Sequence, residues 1–223
     1  MAIERTEING DFSALKTALE TLVPAFFASV ELTDASTITC KDADENTLLV
    51  FAVSGNTHLP RAYRSADNYL TPITAGMSYL GAIKYFFKVG ANGAFLTYPN
   101  GDALAIAKAE NGKTAIVMPG NGGSAVENRL VTLLAACWGD DTAYSNPLWF
   151  AAASTTNAVS NNCLFVPVPL YGNYQTPNNV PKVFFMPVAQ ANMRGIVQEV
   201  TSDSGTYVTN GYLAMLYDAG GEA

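Results

Sequence analysis

The stretch from Ala91 to Met118 constrains the fold more than any other. Three short runs, Gly93–Tyr98, Ala103–Ala109 and Lys113–Met118, are apolar or β-branched, and Pro99-Asn100-Gly101-Asp102 and Asn111-Gly112 separate them. Asn-Gly supplies the positive φ that a tight hairpin turn demands, and so short a loop specifies the register of the strands it joins. An antiparallel meander is expected here. The same pattern occurs upstream, where Ser29–Leu32, Thr37–Lys41 and Thr47–Val53 alternate with Asp-rich turns, which predicts a three-stranded meander. Between the two, Thr57–Thr74 holds Pro60, Pro72 and most of the local Arg and Tyr and reads as a long surface loop, before Tyr79–Val89 resumes as a strand. Further runs fall at Glu127–Trp138, Asn162–Tyr171, Lys182–Val188, Gly195–Thr201 and Tyr207–Tyr217. Glu127–Trp138 fits a buried helix equally well, because a short apolar run carries no period of its own.

One helix precedes these strands. Asp11 is placed to cap a segment in which Phe12, Leu15, Leu19 and Leu22 recur at three- and four-residue spacing. Pro24 ends it, lacking the N–H of an interior turn and disfavouring helix at Val23. A single apolar stripe is what any surface helix needs, so the helix is expected to pack on its own domain rather than dock a partner. The fold class is thus α+β, mainly β, with antiparallel sandwich-like sheets and one N-terminal helix. The chain has 223 residues and domains average about 150, which suits one β-rich domain over 1–223. The alternative is a subdivision into 1–89, helix plus meander, and 90–223, a charge-poor β region.

Charge narrows the function. Asp, Glu, Lys and Arg make up 14% of the chain, with 12 basic and 19 acidic residues for a net −7. A surface that tracks phosphates needs clustered Lys and Arg, so nucleic acid is not an expected partner. Uncharged polar residues take the place of charge: 20 Thr, 18 Asn and 18 Gly. After Arg129 the only bases are Lys182 and Arg194. Trp138, Tyr144, Trp149, Phe150, Phe165, Tyr171 and Tyr174 accompany that depletion, a composition shared by subunit interfaces and by large β cores. The N-terminus has no apolar run after its charges, so no secretory signal is expected and the chain is expected to begin in the cytosol. Thr142–Pro181 is uncharged but broken by Pro, Asn and Ser, which predicts no membrane insertion. Cys40, Cys137 and Cys163 form no Cys-x-x-Cys pair and read as buried free thiols.

Four constellations are candidates for chemistry. Gly120-Asn121-Gly122-Gly123-Ser124-Ala125 imitates a dinucleotide fingerprint with Asp140 and Asp141 downstream, but a crossover helix and a second parallel strand do not fit in that interval. His58 is the one histidine. It has no nucleophile motif beside it, so it is read as a polar loop residue. Asp140-Asp141 and Asp42, Asp44 and Glu45 lack the spacing of a calcium loop and read as acidic turns, with catalysis by paired carboxylates or calcium binding as alternatives. Tyr171, Asn173 and Tyr174 share a Gly- and Pro-rich loop, where flat rings and amides suit a sugar or protein surface, and Trp149 joins them as a candidate contact. No catalytic, cofactor-binding or metal residue is assigned, and the chain is not expected to be an enzyme.

The segment Gly205–Asp218 reads as a closing hairpin through Asn210-Gly211, or as a bulged strand. Its string Tyr207-Val208-Thr209-Asn210-Gly211-Tyr212, an apolar run and Asp218 resembles an ending found in structural proteins of phages and prophages of gut bacteria, and Phe184-Phe185-Met186-Pro187 is similar to the same group. The resemblance covers about a quarter of the chain. It implies a structural component of a virion or phage-tail-like particle, of tail or baseplate type, with copies of itself and other particle proteins as partners. Few charges, abundant Thr, Asn and Gly and many short strands suit a place in a symmetric assembly. The alternative is a receptor- or glycan-binding module displayed on such a particle, with a host cell-surface glycan as its ligand.

Overall fold

The computed structural model describes residues 3–71, 81–91, 93–99, 103–108, 112–119, 130–139, 148–151, 183–185, 198–202, 205–209 and 213–218. In chain order they form β1 (Ile3–Glu7), α1 (Phe12–Glu20), β2 (Ser29–Asp34), β3 (Thr37–Lys41), β4 (Thr47–Ser54), β5 (Thr57–Ser65), β6 (Asn68–Leu70) and β7 (Tyr85–Val89). There follow β8 (Gly93–Thr97), β9 (Ala103–Lys108), β10 (Thr114–Pro119), β11 (Leu130–Cys137), β12 (Leu148–Ala151), β13 (Val183–Phe185), β14 (Gln198–Ser202), β15 (Gly205–Thr209) and β16 (Leu213–Asp218). They build a seven-stranded sheet β1-β7-β8-β9-β10-β11-β12, a five-stranded sheet β2-β3-β4-β5-β6 and a four-stranded sheet β13-β16-β15-β14. Every pairing is antiparallel. The protein is therefore α+β, mainly β, with sandwiched antiparallel sheets and an N-terminal helix.

Helix α1 begins where its cap is. Asp11 Oδ1 accepts from the Ser13 and Ala14 N–H groups at 2.9 and 3.1 Å, which satisfies two of the donors that a helix start leaves open. The helix stops at Glu20, and the turns that follow carry the chain through Pro24 to Phe26. Leu15, Ala18 and Leu19 are buried in the main core together with Leu22, and Phe12 packs against it, so the stripe serves its own domain.

The upstream meander is longer than its pattern predicts. The stretch expected to be a surface loop is β5 and β6, which extend the sheet to five strands. The inward positions of β5 are His58, Pro60, Ala62 and Arg64, all buried, while the residues between them are half-buried or exposed. Alternation is thus present, but a histidine, a proline and an arginine occupy the face where apolar residues are expected. Pro60 is tolerated because β6 reaches only as far as Ala62, leaving β5 with one neighbour at the proline. Gly55, at φ +59°, opens the two-residue turn between β4 and β5 and was the available hairpin signal.

The downstream meander follows its prediction, with Gly112 at φ +78° after β9. β11 is a strand between β10 and β12, so the helical alternative for Glu127–Trp138 does not hold. β1 and β12 were not anticipated. Ile3-Glu4-Arg5-Thr6-Glu7 shows no apolar alternation, in keeping with an exposed edge strand paired only to β7. The run at Asn162–Tyr171 lies outside the described residues.

One continuous core joins α1, the inner face of the five-stranded sheet and one face of the seven-stranded sheet. Val30, Ile38, Cys40, Leu49, Phe51 and Ala62 face it from one side, and Ala94, Ile106, Ile116 and Ala136, aligned in a single row across β8 to β11, face it from the other. The opposite face of the seven-stranded sheet carries a second row, Phe87, Phe95, Ala105 and Val117, which lies outside that core yet is also buried. Strand β16 lies against β9, so part of the charge-poor C-terminal region backs onto its own chain.

Candidate functional site

His58 is the most connected polar group inside the fold. It stands on β5, 2% exposed, so it is a core histidine and not a loop residue. The Ile83 N–H donates to Nδ1 at 3.3 Å, which places the ring proton on Nε2, and the ring bonds the Gly10 carbonyl. Its backbone N–H donates to the Gly81 carbonyl at 3.0 Å, and the Tyr98 hydroxyl donates to its carbonyl at 3.2 Å. Phe12 meets the ring edge-on at 5.8 Å between centroids. Burial holds the imidazole below its usual pKa, with the Gly10 bond opposing that shift. These contacts tie the β1–α1 turn, the segment leading into β7, and β8 to the five-stranded sheet. The imidazole is a fastening between layers, with both ring nitrogens engaged by backbone.

The thiols and the half-buried Lys108 are also part of the packing. Cys40 and Cys137 are buried thiols, and burial pushes the Cys40 thiol up, away from the reactive thiolate form. Lys108 lies over the Phe26 ring at 5.1 Å and donates to Thr114 Oγ1 at 3.3 Å. Its pKa is lowered by burial, with the neighbouring Cys137 acting in the other direction. Thr114 Oγ1 in turn donates to the Phe26 carbonyl, which fastens the end of the α1–β2 connection to β10.

The acidic turn is closed on itself. Asp42 Oδ1 accepts from the Asp44 and Asn46 N–H groups at 2.9 Å each, and Oδ2 accepts from Asn46 Nδ2 at 3.0 Å. Among the described residues no group of three His, Cys, Asp or Glu is arranged to hold a metal ion. No helix among them is long and apolar enough to cross a membrane. The Gly120–Ala125 motif and Asp140-Asp141 lie outside the described residues, but β10 and β11, which flank the motif, are adjacent and antiparallel. A dinucleotide crossover requires parallel strands there, so that fingerprint has lost its structural context.

Of the predicted contact residues, Trp149 belongs to β12, opposite Thr132 of β11, while Tyr171, Asn173 and Tyr174 lie outside the described residues. The structure presents a different aromatic surface, within the stretch expected to be a loop. On the outer face of β5 and β6 the Tyr63 and Tyr69 rings lie 5.3 Å apart, and the Arg61 guanidinium covers Tyr69 at 5.1 Å. Arg61 and Tyr69 are exposed and Tyr63 half-buried. Period-two alternation after the Gly55-Asn56 turn was the signal that would have brought these three together. A second cluster sits at the edge of the seven-stranded sheet, where Arg5 and Lys84 both lie 5.2 Å from the Tyr85 ring centre. Such pairs of flat rings and cations suit recognition of a surface more than turnover of a substrate.

Comparison with known proteins finds no matching family model, no matching curated protein and no matching solved structure.

Proposed function

We propose that the protein is a structural component of a phage virion or phage-tail-like particle, of tail or baseplate type, acting through contacts between subunits. One observation carries most weight. The two strings that resemble phage structural proteins are separated in sequence but adjacent in space: Phe184 and Phe185 of β13 pair with Ala214 and Leu213 of β16. β15 and β16, which flank Asn210-Gly211 in the sequence, pair antiparallel with a register shift at Thr206/Tyr207. The described residues of both strings thus lie in one sheet, which supports reading them as parts of one structural unit.

Native mass spectrometry of the recombinant protein across concentration tests this reading. A defined closed oligomer is the expected result. A monomer at every concentration would remove the subunit-contact reading and turn attention to the displayed glycan-binding alternative, to be tested by wild-type binding to cell-wall polysaccharide and its loss in Tyr171→Ala and Tyr174→Ala.

A further inference from the structure

Strand β1 ends the seven-stranded sheet. It pairs with β7 on one side, and Glu4, Arg5, Thr6 and Glu7 are all exposed. The Ile8 N–H donates to the Lys84 carbonyl at 2.9 Å where the β1–β7 ladder ends, and that bond sets the phase of the ladder. Glu4, Thr6 and Ile8 turn their backbone groups toward β7, so Ile3, Arg5 and Glu7 turn theirs outward, where a further strand can bond to them. Charges on an edge normally discourage such pairing, and in β1 they discourage every self-pairing but one. A two-fold axis between antiparallel strands sets one residue opposite its own copy. Centred on Glu4, Arg5 or Glu7, it opposes like charges directly. Thr6 is the uncharged residue among the four, and centring the axis there aligns Arg5 of each copy with Glu7 of the other. Both have outward backbone groups, so each aligned pair exchanges both main-chain hydrogen bonds and also joins opposite charges.

We propose that β1 pairs antiparallel with β1 of a second copy about a two-fold axis at Thr6, continuing the seven-stranded sheet from one subunit into the other. The inference rests on the subunit-contact reading and names its seam. Arg5 is prepared for it, because the Tyr85 ring lies under its guanidinium at 5.2 Å and Glu7 Oε1 accepts from Nη2 at 3.3 Å. A second copy adds to that bond and does not compete with it. The Arg5 and Glu7 side chains of the two copies then alternate in sign around the axis, each with an opposite charge along its own strand and another across the seam. Arg5 has further N–H donors, and Glu7, which also accepts from Asn9 Nδ2 at 3.3 Å, keeps lone pairs for the partner. The two side chains are 57% and 54% exposed, so nothing in the chain covers them. At the axis the Thr6 side chains face one another, a favourable cross-strand pair. The seam is one five-residue strand long, which fits a reversible dimer.

Sedimentation equilibrium from about 1 to 200 µM, the range in which a reversible dimer of this kind dissociates, provides the test. Wild type should show a monomer–dimer equilibrium. R5E and E7R should each weaken it about tenfold, since each sets like charges against one another on both sides of the axis. The double variant R5E/E7R, which exchanges the two signs, should regain wild-type association. Thr6→Cys should form a disulfide-linked dimer under mild oxidation while wild type does not, because opposite Cα atoms at such a position lie about 4.5 Å apart. All three positions are exposed, so matching circular dichroism melts would verify that the variants fold. Single variants that associate normally, a double variant that stays dissociated, or a Thr6→Cys protein that does not cross-link would each overturn the inference. A wild-type oligomer indifferent to R5E and E7R would remove this seam and leave the subunit-contact reading standing, whereas a monomer at every concentration removes both.

Discussion

The two larger sheets use one strand chemistry for opposite ends. In the seven-stranded sheet, β8, β9 and β10 are buried on both faces, and their sequences are nearly continuous apolar runs. In the five-stranded sheet one face enters the core, while on the other the flanking strands β2 and β5 carry exposed charged and aromatic residues such as Glu31 and Arg61 around a covered centre at Thr39 and Val50. The difference teaches where interaction can occur. A sheet covered on both faces supplies stability, whereas a sheet covered on one face has a surface that evolution can shape.

The strongest way to break that comparison is to place the same charge in both sheets. Ala105→Asp on β9 should abolish stable folding, because a carboxylate would be buried with no partner. Thr33→Asp, on the exposed part of β2, should cost only about 1 kcal/mol, through loss of the hydroxyl bond to Thr39. Equal midpoints for the two variants would show that the second face of the seven-stranded sheet is open. Next in size is Phe51→Ala. Phe51 is fully buried on the inner face of β4, and truncation should cost about 3–5 kcal/mol in chemical denaturation; a loss under 1 kcal/mol would mean that the two sheets do not share that core.

The joint between the sheets is sharpened by pH. Folded His58 resists protonation, while in the unfolded chain it takes a proton near pH 6.5. The unfolded state therefore binds more protons as pH falls, and stability should decline from about pH 7 to 5.5 with a slope of up to about 1.4 kcal/mol per unit. His58→Gln should remove this limb, and since the chain has a single histidine no other imidazole can supply it. An unchanged slope in the variant would assign the pH dependence to another group. The smallest effect belongs to the helix beside the five-stranded sheet, where Asp11→Ala should cost about 1 kcal/mol through lost capping. No change in thermal midpoint would show that the cap is dispensable.

Legibility followed the chemistry of each face. β8 to β10 were readable because apolar runs and Asn-Gly turns agree. α1 was readable because its cap and its stripe coincide. β5 was not, because His58 and Arg64 are polar and Pro60 discourages a strand assignment, although all three point inward. Arg61, Tyr63 and Tyr69 therefore read as loop residues in the sequence, and only the strand pairing brings them together as an aromatic surface. β1 carries mostly polar residues, and only its pairing with β7 identifies it as a strand.

What the sequence by itself determined is local: where turns must fall, which runs alternate, where the first helix starts, and that charge is scarce after Arg129. Those properties depend on neighbours along the chain. The tertiary structure alone decided that His58 is a fastening and not a site, that Phe184 and Leu213 belong to neighbouring strands, and that Glu31 and Arg61 end one row. Each of these depends on strand pairing or packing between residues distant in sequence, which burial and hydrogen-bond satisfaction select only when the whole chain is folded.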